Sequence, residues 1–196
     1  MPRSILVLYA HPAQHRSEAH QLMARVASGV EGVTFADLYA EYPRFEIDID
    51  REQARLAAHD VLIFQCPVYW YSTPALLKEW QDLVLEYGWA YGTGGTALSG
   101  KLFLAAVTAG GPVEAYAPTG YQRFPLRTLL SPLEQTAWLC GMTYLPPFVL
   151  FAAHRASQGA ALALHAARYR RLLEALRDDR LDPARHLEQP LLEIAG

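Results

Sequence analysis

Three apolar runs constrain this chain most: SILVLYA at 4–10, VLIFQC at 61–66 and LFLAAVT at 102–108. None of them alternates apolar with polar side chains. A strand with one wet face alternates, so strands of this composition need cover on both faces. A weaker run, VTFADL at 33–38, and a later one at 142–151 bring the candidate strands to five. Pro146 and Pro147 interrupt the last, and proline lacks the amide that a central strand donates, so this strand is expected at a sheet edge.

Helical patterns with readable ends lie between the runs. Ser17 can cap a helix with Leu22, Met23, Val26 and Val30 inward and Gly32 beyond its end. Thr73 and Pro74 resemble an N-cap and first helical residue ahead of Leu76, Leu77, Trp80 and Val84. Ser131, Pro132 and Glu134 fit an S-x-x-E capping box, and Gly141 stands where a helix stops. A last helix is expected from about Gln158 to Arg177, with Leu162, Tyr169, Leu172 and Leu176 inward, ahead of a loosely attached tail at 179–196.

Alternating strands and helices with right-handed crossovers predict a parallel sheet covered on both sides. The expected fold class is therefore α/β: a three-layer, doubly wound, five-stranded parallel sheet in the order 2-1-3-4-5, forming a single domain over 1–196 with its core at about 4–178. Ligands of such sheets sit outside the carboxyl ends of the strands, at the switch point beside strands one and three.

Composition excludes several classes. Hydrophobic residues make up 52% and charged residues 19% of 196, which is core-forming material rather than a disordered chain. The formal charge is −3, and no basic run interleaved with aromatics precedes the last helix, so no nucleic-acid partner is expected. The apolar run at 5–10 is too short for a signal-peptide core or a membrane span, and a cytoplasmic protein is expected. Cys66 and Cys140 have apolar neighbours and no CxxC partner, which points to buried thiols rather than a disulfide or zinc site.

The loops after strands one, three and four share one end of this sheet. The first, HPAQHRSEAH at 11–20, leads into a helix start whose free amides suit a phosphate, with Ser17, Arg16 and His11 as further donors. Taken alone it also reads as an ordinary turn capped by Ser17. His11, His15 and His20 lack metal-ligand spacing, since Pro12 breaks the helix that would align the first two, and no metal is expected. After strand three, Tyr69, Trp70 and Tyr71 are consecutive and cannot all enter one core, which fits either a flat apolar ligand or a satellite aromatic cluster. After strand four, Gly110 and Gly111 allow close backbone approach, or simply make a turn. A phosphate-compatible loop, an aromatic loop and an amide-rich loop at one end describe a flavin mononucleotide pocket.

The motifs carry a resemblance. YAHP at 9–12, P-x-x-W-Y-S-x-P-A-x-L-K-x-W at 67–80, GWAYGTGGTALSGK at 88–101 and T-x-G-G at 108–111 resemble the flavodoxin-like NAD(P)H:quinone oxidoreductases. WAYG-x-GGTAL-x-GK at 89–101 and LPPF at 145–148 look like the branch holding the ancillary flavoproteins of glutathione-regulated potassium-efflux systems. The resemblance implies flavin contacts at His11, Ser17, Glu18, Ala19 and His20, at Pro67, Val68, Tyr69, Trp70 and Tyr71, and at Thr108, Ala109, Gly110 and Gly111. Residues 68–71 are expected to hold the flavin through backbone groups, with Trp70 and Tyr71 as walls. FMN is expected rather than FAD, because no long extension follows the last helix.

The resemblance also implies the chemistry. Hydride passes from NAD(P)H to flavin N5 and then to a quinone, in a ping-pong cycle. The Gly110 and Gly111 amides would steady negative charge on the reduced flavin, and Tyr116 would hydrogen-bond the substrate. His20 stands where relatives carry asparagine, Ala109 replaces a second threonine, and Glu18 adds a negative charge beside the phosphate position. Tyr121 or Gln122 falls near the place of an active-site histidine. Family enzymes are homodimers, and Trp89 and Tyr91 are expected as exposed interface aromatics. A second possibility is a flavin-bearing regulatory subunit docked on a potassium-efflux transporter, peripheral at the inner face of the cell membrane. A one-electron carrier fits less well, since the chain is neither strongly acidic nor threonine-rich in its first loop.

Overall fold

The apolar runs form β1 (Ile5–Tyr9), β2 (Val33–Asp37), β3 (Val61–Pro67) and β4 (Leu102–Thr108), paired in parallel in a computed structural model that describes residues 2–156 and 160–194. Every residue of β1, β3 and β4 is buried, as their unbroken apolar composition requires. The fifth run resolves into two short strands, β5 (Thr143–Tyr144) and β6 (Phe148–Leu150), which pair in succession with the free edge of β4. Pro146 and Pro147 fall between them and have no amide to give the ladder. The order is β2-β1-β3-β4-β5, with β6 also beside β4.

Among the described residues the helices are α1 (Glu18–Ser28), α2 (Leu38–Glu41), α3 (Ile49–Ala57), α4 (Ala75–Val84), α5 (Leu126–Leu129), α6 (Ser131–Leu139), α7 (Ala153–Ala156) and α8 (Ala160–Arg177). Alternate strand residues feed two cores. Ile5, Val7, Val61, Ile63 and Leu104 meet Met23 of α1 and Tyr169, Leu172 and Leu176 of α8. Leu6, Leu8, Leu62, Phe64 and Phe103 meet Leu56 of α3, Leu76 and Trp80 of α4 and Leu133 of α6. Glu52 is fully buried in that second layer, and its carboxylate accepts from Tyr42 (2.7 Å), Trp80 Nε1 (2.9 Å) and Arg55 (2.9 Å). A buried carboxylate persists only when its lone pairs are answered in this way.

Several helix ends differ from expectation. α1 stops at Gly29, short of Gly32. Pro74 takes the cap position of α4, while Thr73 Oγ1 accepts from Gln81 Nε2 at 3.4 Å. The capping box at Ser131 does not form, because α5 runs through Leu130 into α6 and Glu134 pairs with Arg127 at 2.6 Å. Gly141 does end α6, at φ 71°, with its amide on Trp138 O and that of Met142 on Ala137 O. The expected start of the last helix at Gln158 lies outside the described residues.

Two surface expectations are corrected. Trp89 and Tyr91 are half-buried and pack on the core of their own chain, leaving Tyr87 as the exposed ring of that loop. The tail is tied down rather than loose: Leu181 and Leu192 are buried and the Leu192 amide donates to Pro147 O at 3.0 Å. Arg127 Nη1 donates to the carbonyls of Leu187 and Gln189, both at 2.5 Å. Arg127→Met should remove this clamp, destabilise the protein by about 1–3 kcal/mol, the worth of hydrogen bonds to a charged group, and open the tail to protease. Limited proteolysis with a urea titration checks both effects.

Candidate active site at the carboxyl ends of the central strands

The ladder brings three strand ends to one level. Tyr9 stands beside Gln65, Gln65 beside Ala106 and Pro67 beside Thr108. The pairing continues into the loops, with Ala10 N donating to Gln65 O (3.0 Å) and Val68 N to Thr108 O (2.9 Å). A cleft of about 550 Å3 opens there. Its walls are His11, Ala13, Arg16, Ser17, Glu18 and Ala19 from the first loop, Pro67, Val68 and Tyr69 from the second, Thr108, Ala109 and Gly110 from the third, and Ala153 and His154 of α7.

The first loop is polar and locally ordered. Ser17 caps α1 by accepting from His20 N at 3.3 Å. His11 Nδ1 accepts from Ala13 N at 3.1 Å, so the neutral ring carries its proton on Nε2. Burial holds the His11 pKa below the ordinary range, with His15 adding to the effect. His20 is fully buried behind the cleft wall, and its Nε2 lies 2.9 Å from Thr108 Oγ1. Burial pushes its pKa down to about 3, with His11 and His165 contributing, so the ring is neutral.

The second loop is a two-residue turn. Tyr69 and Ser72 exchange amide hydrogen bonds of 2.9 and 3.0 Å, and Trp70 and Tyr71 occupy the left-handed region at φ 46° and 66°. That conformation normally selects Asn-Gly. Trp70 is 91% exposed and Tyr71 reaches away to Gln122 Oε1 at 3.0 Å. Neither lines the cleft, which corrects their expected role as walls. Tyr69 does line it, with its ring edge-on to His11 at 6.2 Å. The Val68 and Tyr69 amides are already engaged, while those of Trp70 and Tyr71 bond to no described residue.

The third loop is fixed by Ala109 N to Leu150 O (2.9 Å), Ala152 N to Gly111 O (2.9 Å) and Ala153 N to Ala109 O (3.1 Å). A Cβ on Gly110 would meet nothing within 4 Å, because it faces open space. A Cβ on Gly111 would stand 2.7 Å from the Tyr121 hydroxyl and 3.2 Å from the Tyr116 ring. Gly111 thus lies under two tyrosines instead of on the cleft wall. Tyr116 packs on Phe151 at 5.4 Å, and its pKa is raised by burial against an opposing hydrogen bond from the Gly111 backbone.

The model of the flavodoxin-like fold family matches residues 3–173. The chain belongs to this family. Glutathione-regulated potassium-efflux system ancillary protein KefG of Serratia proteamaculans (strain 568) is 46% identical over 168 residues, 86% of this chain and 91% of that protein. General stress protein 14 from Treponema denticola, solved in complex with FMN, is 37% identical with a TM-score of 0.83, over 88% of this chain and 99% of that one. An NADPH-quinone reductase from P. pentosaceus is 28% identical with a TM-score of 0.79, over 87% and 97%.

Within this flavodoxin-like frame, sequence reasoning missed Ala13, Ala153 and His154. The last two reach the cleft because β6 ends level with β4, Leu150 beside Thr108, so a fourth loop joins the other three. The legible signal was the position of 148–150 on the β4 edge. Among the described residues, no group of three or more His, Cys, Asp or Glu is placed to hold a metal.

Two outcomes test the geometry. Trp70→Asn should relieve a left-handed tryptophan and stabilise the protein by about 1 kcal/mol, read as a higher urea midpoint. His20 and His165 have folded pKa values of about 3 and about 4 against an ordinary 6.5, so the unfolded chain binds more protons between those limits. Their contribution to stability is complete above pH 6.5 and shrinks as pH falls toward 4. His20→Asn should flatten the fall of the urea midpoint over that window.

Proposed function

We propose that this protein is an FMN-dependent NAD(P)H:quinone oxidoreductase. The observation that carries the reading is one cleft joining a cationic helix start, an apolar Val68–Tyr69 wall and an open Gly110 backbone. The residues fit the group: a side chain at Gly110 would enter space that a flat ring needs, and α1 offers unpaired first-turn amides beside Arg16. Similarity to the FMN complex and to the NADPH-quinone reductase supports cofactor and substrate class.

Bound flavin supplies a two-electron hydride acceptor and donor, which side chains do not provide. The amides of Glu18 and Ala19, with Arg16, hold the phosphate against the opposing charge of Glu18. His11 offers the Nε2 proton, and His20 fixes the Thr108 hydroxyl through their 2.9 Å contact. The Gly110 amide is placed for negative charge that develops on reduction. Tyr116, its pKa raised by burial, stays protonated at neutral pH and can donate to a quinone oxygen with Tyr121 beside it. Exposed Trp70, Tyr121 and Phe124 on adjoining loops support pairing of two copies at this face.

Purified protein should release FMN on heating and oxidise NADH or NADPH only when a quinone is present. Gly110→Val should leave the fold intact and weaken FMN binding by at least about tenfold, the scale of 1.4 kcal/mol. A colourless wild type that takes up no FMN would sink the proposal. A second reading, a regulatory subunit of a potassium-efflux transporter, is favoured by the 46% identity to an ancillary protein. Among the described residues no helix is long and apolar enough to cross a membrane, so attachment would go through the partner. Flavin-loaded protein that co-purifies with such a transporter but turns over no quinone would support the second reading over the first.

A further inference from the structure

Thr108 ends β4 and lines the cleft, and its hydroxyl oxygen lies 2.9 Å from Nε2 of the fully buried His20. Neither side chain has a second hydrogen-bond partner among the described residues. Burial keeps the ring neutral, so it carries one proton, on Nε2 or on Nδ1. On Nδ1 that proton would be a buried donor with nothing to accept it, while Thr108 spent its own proton on Nε2. On Nε2 it is donated to Thr108 Oγ1, and only a lone pair at Nδ1 is left over. Two neighbours decide between these states. Tyr9, whose ring centroid lies 6.0 Å from that of His20, and Gln65, beside Tyr9 in the ladder, have orphaned atoms of their own, Oη and Nε2. Both atoms carry protons to donate, so this layer lacks acceptors. A lone pair at Nδ1 supplies one, whereas a proton there would add a third unanswered donor.

We infer that His20 is a positioning residue, whose Nε2–H turns the Thr108 hydroxyl into a proton donor to the ligand of the cleft. His20 occupies the Thr108 oxygen as an acceptor, so the hydroxyl hydrogen turns away from the ring, and Thr108 lines the cleft on its open side. The other tautomer would leave only lone pairs there, which repel an oxygen acceptor. The inference rests on the flavin reading above, because the group that takes this proton is an acceptor atom of the flavin. His20 itself meets no ligand and acts through Thr108.

Heteronuclear NMR of isotope-labelled, full-length protein, with and without saturating FMN, reads the tautomer directly. His20 should show a protonated Nε2 and a bare Nδ1; a protonated Nδ1 would overturn the inference. Titrations followed by flavin fluorescence then test the link to Thr108. Thr108→Val should weaken FMN by at least about tenfold in the wild-type background and by under about threefold in a His20→Leu background. His20→Asn keeps an N–H for Thr108, so it should hold FMN within about threefold of wild type and restore the full Thr108→Val effect. That variant also carries the test if His20→Leu fails to fold. A His20 that serves only the fold would lower the urea midpoint and leave the Thr108→Val ratio unchanged, which overturns the inference. So would a Thr108→Val protein that binds FMN like the wild type. A wild type that takes up no FMN would instead sink the proposed function, and this role with it.

Discussion

Everything at the functional end of this molecule depends on strands β1, β3 and β4 being buried on both faces and held in level register. Double burial forbids a ligand on either face of the sheet centre, where helices α1, α8, α3 and α4 already lie. The only part of these strands open to solvent chemistry is their ends. The pairs Tyr9 with Gln65 and Pro67 with Thr108 bring those ends to one height, so three loops meet without a designed loop–loop interface. β6 adds a fourth because the proline break lets it realign with the end of β4. The cleft is a consequence of backbone pairing before it is a matter of side chains.

Side chains then set its electrostatics from below. On the α1–α8 face, where the strands should be apolar, Tyr9 and Thr108 end β1 and β4, and Gln65 stands beside Tyr9 under the cleft. Tyr169 donates to Gln65 Oε1 at 3.0 Å and His20 meets Thr108, but Tyr9 Oη, His20 Nδ1 and Gln65 Nε2 have no partner among the described residues. Such a layer costs stability unless water completes it, and its place immediately beneath the loops is where that cost is commonly tolerated. Burial keeps both His11 and His20 neutral, so this layer gives the cleft hydrogen-bond direction without adding charge.

The fold was legible in the sequence because its determinants are one-dimensional: unbroken apolar runs, helical periodicity and proline position. The alternation predicted a parallel sheet, and five strands suited the order 2-1-3-4-5. What failed was local and contextual. The capping box at Ser131 has the right letters, but the preceding turn is already helical, so the serine has no chain end to cap. Trp89 and Tyr91 looked exposed because flanking glycines suggested a projecting loop, whereas the loop folds back on the core. The tail looked loose because its anchors, Leu181, Leu192 and the Arg127 clamp, are single residues without periodicity. His154 joined the cleft through tertiary alignment, which no local pattern encodes.

The aromatic turn shows how position and role separate. Consecutive rings at 69–71 signalled a site because they cannot share one core, and the loop borders the cleft through Val68 and Tyr69. The structure resolves the conflict in another way: only Tyr69 turns inward, and the next two residues adopt left-handed backbone that sends Trp70 into solvent and Tyr71 to Gln122. Left-handed conformations in bulky residues are unfavourable by roughly 1–2 kcal/mol each. They persist here because β3 and α4 fix the two ends of the turn only a few residues apart, and the Tyr69–Ser72 pair closes what remains. With the Val68 amide on Thr108 O and the Tyr69 amide on Ser72 O, the Trp70 and Tyr71 amides are the ones this loop leaves open, so what it offers beside the cleft is backbone exposed through strain rather than the rings that drew attention to it.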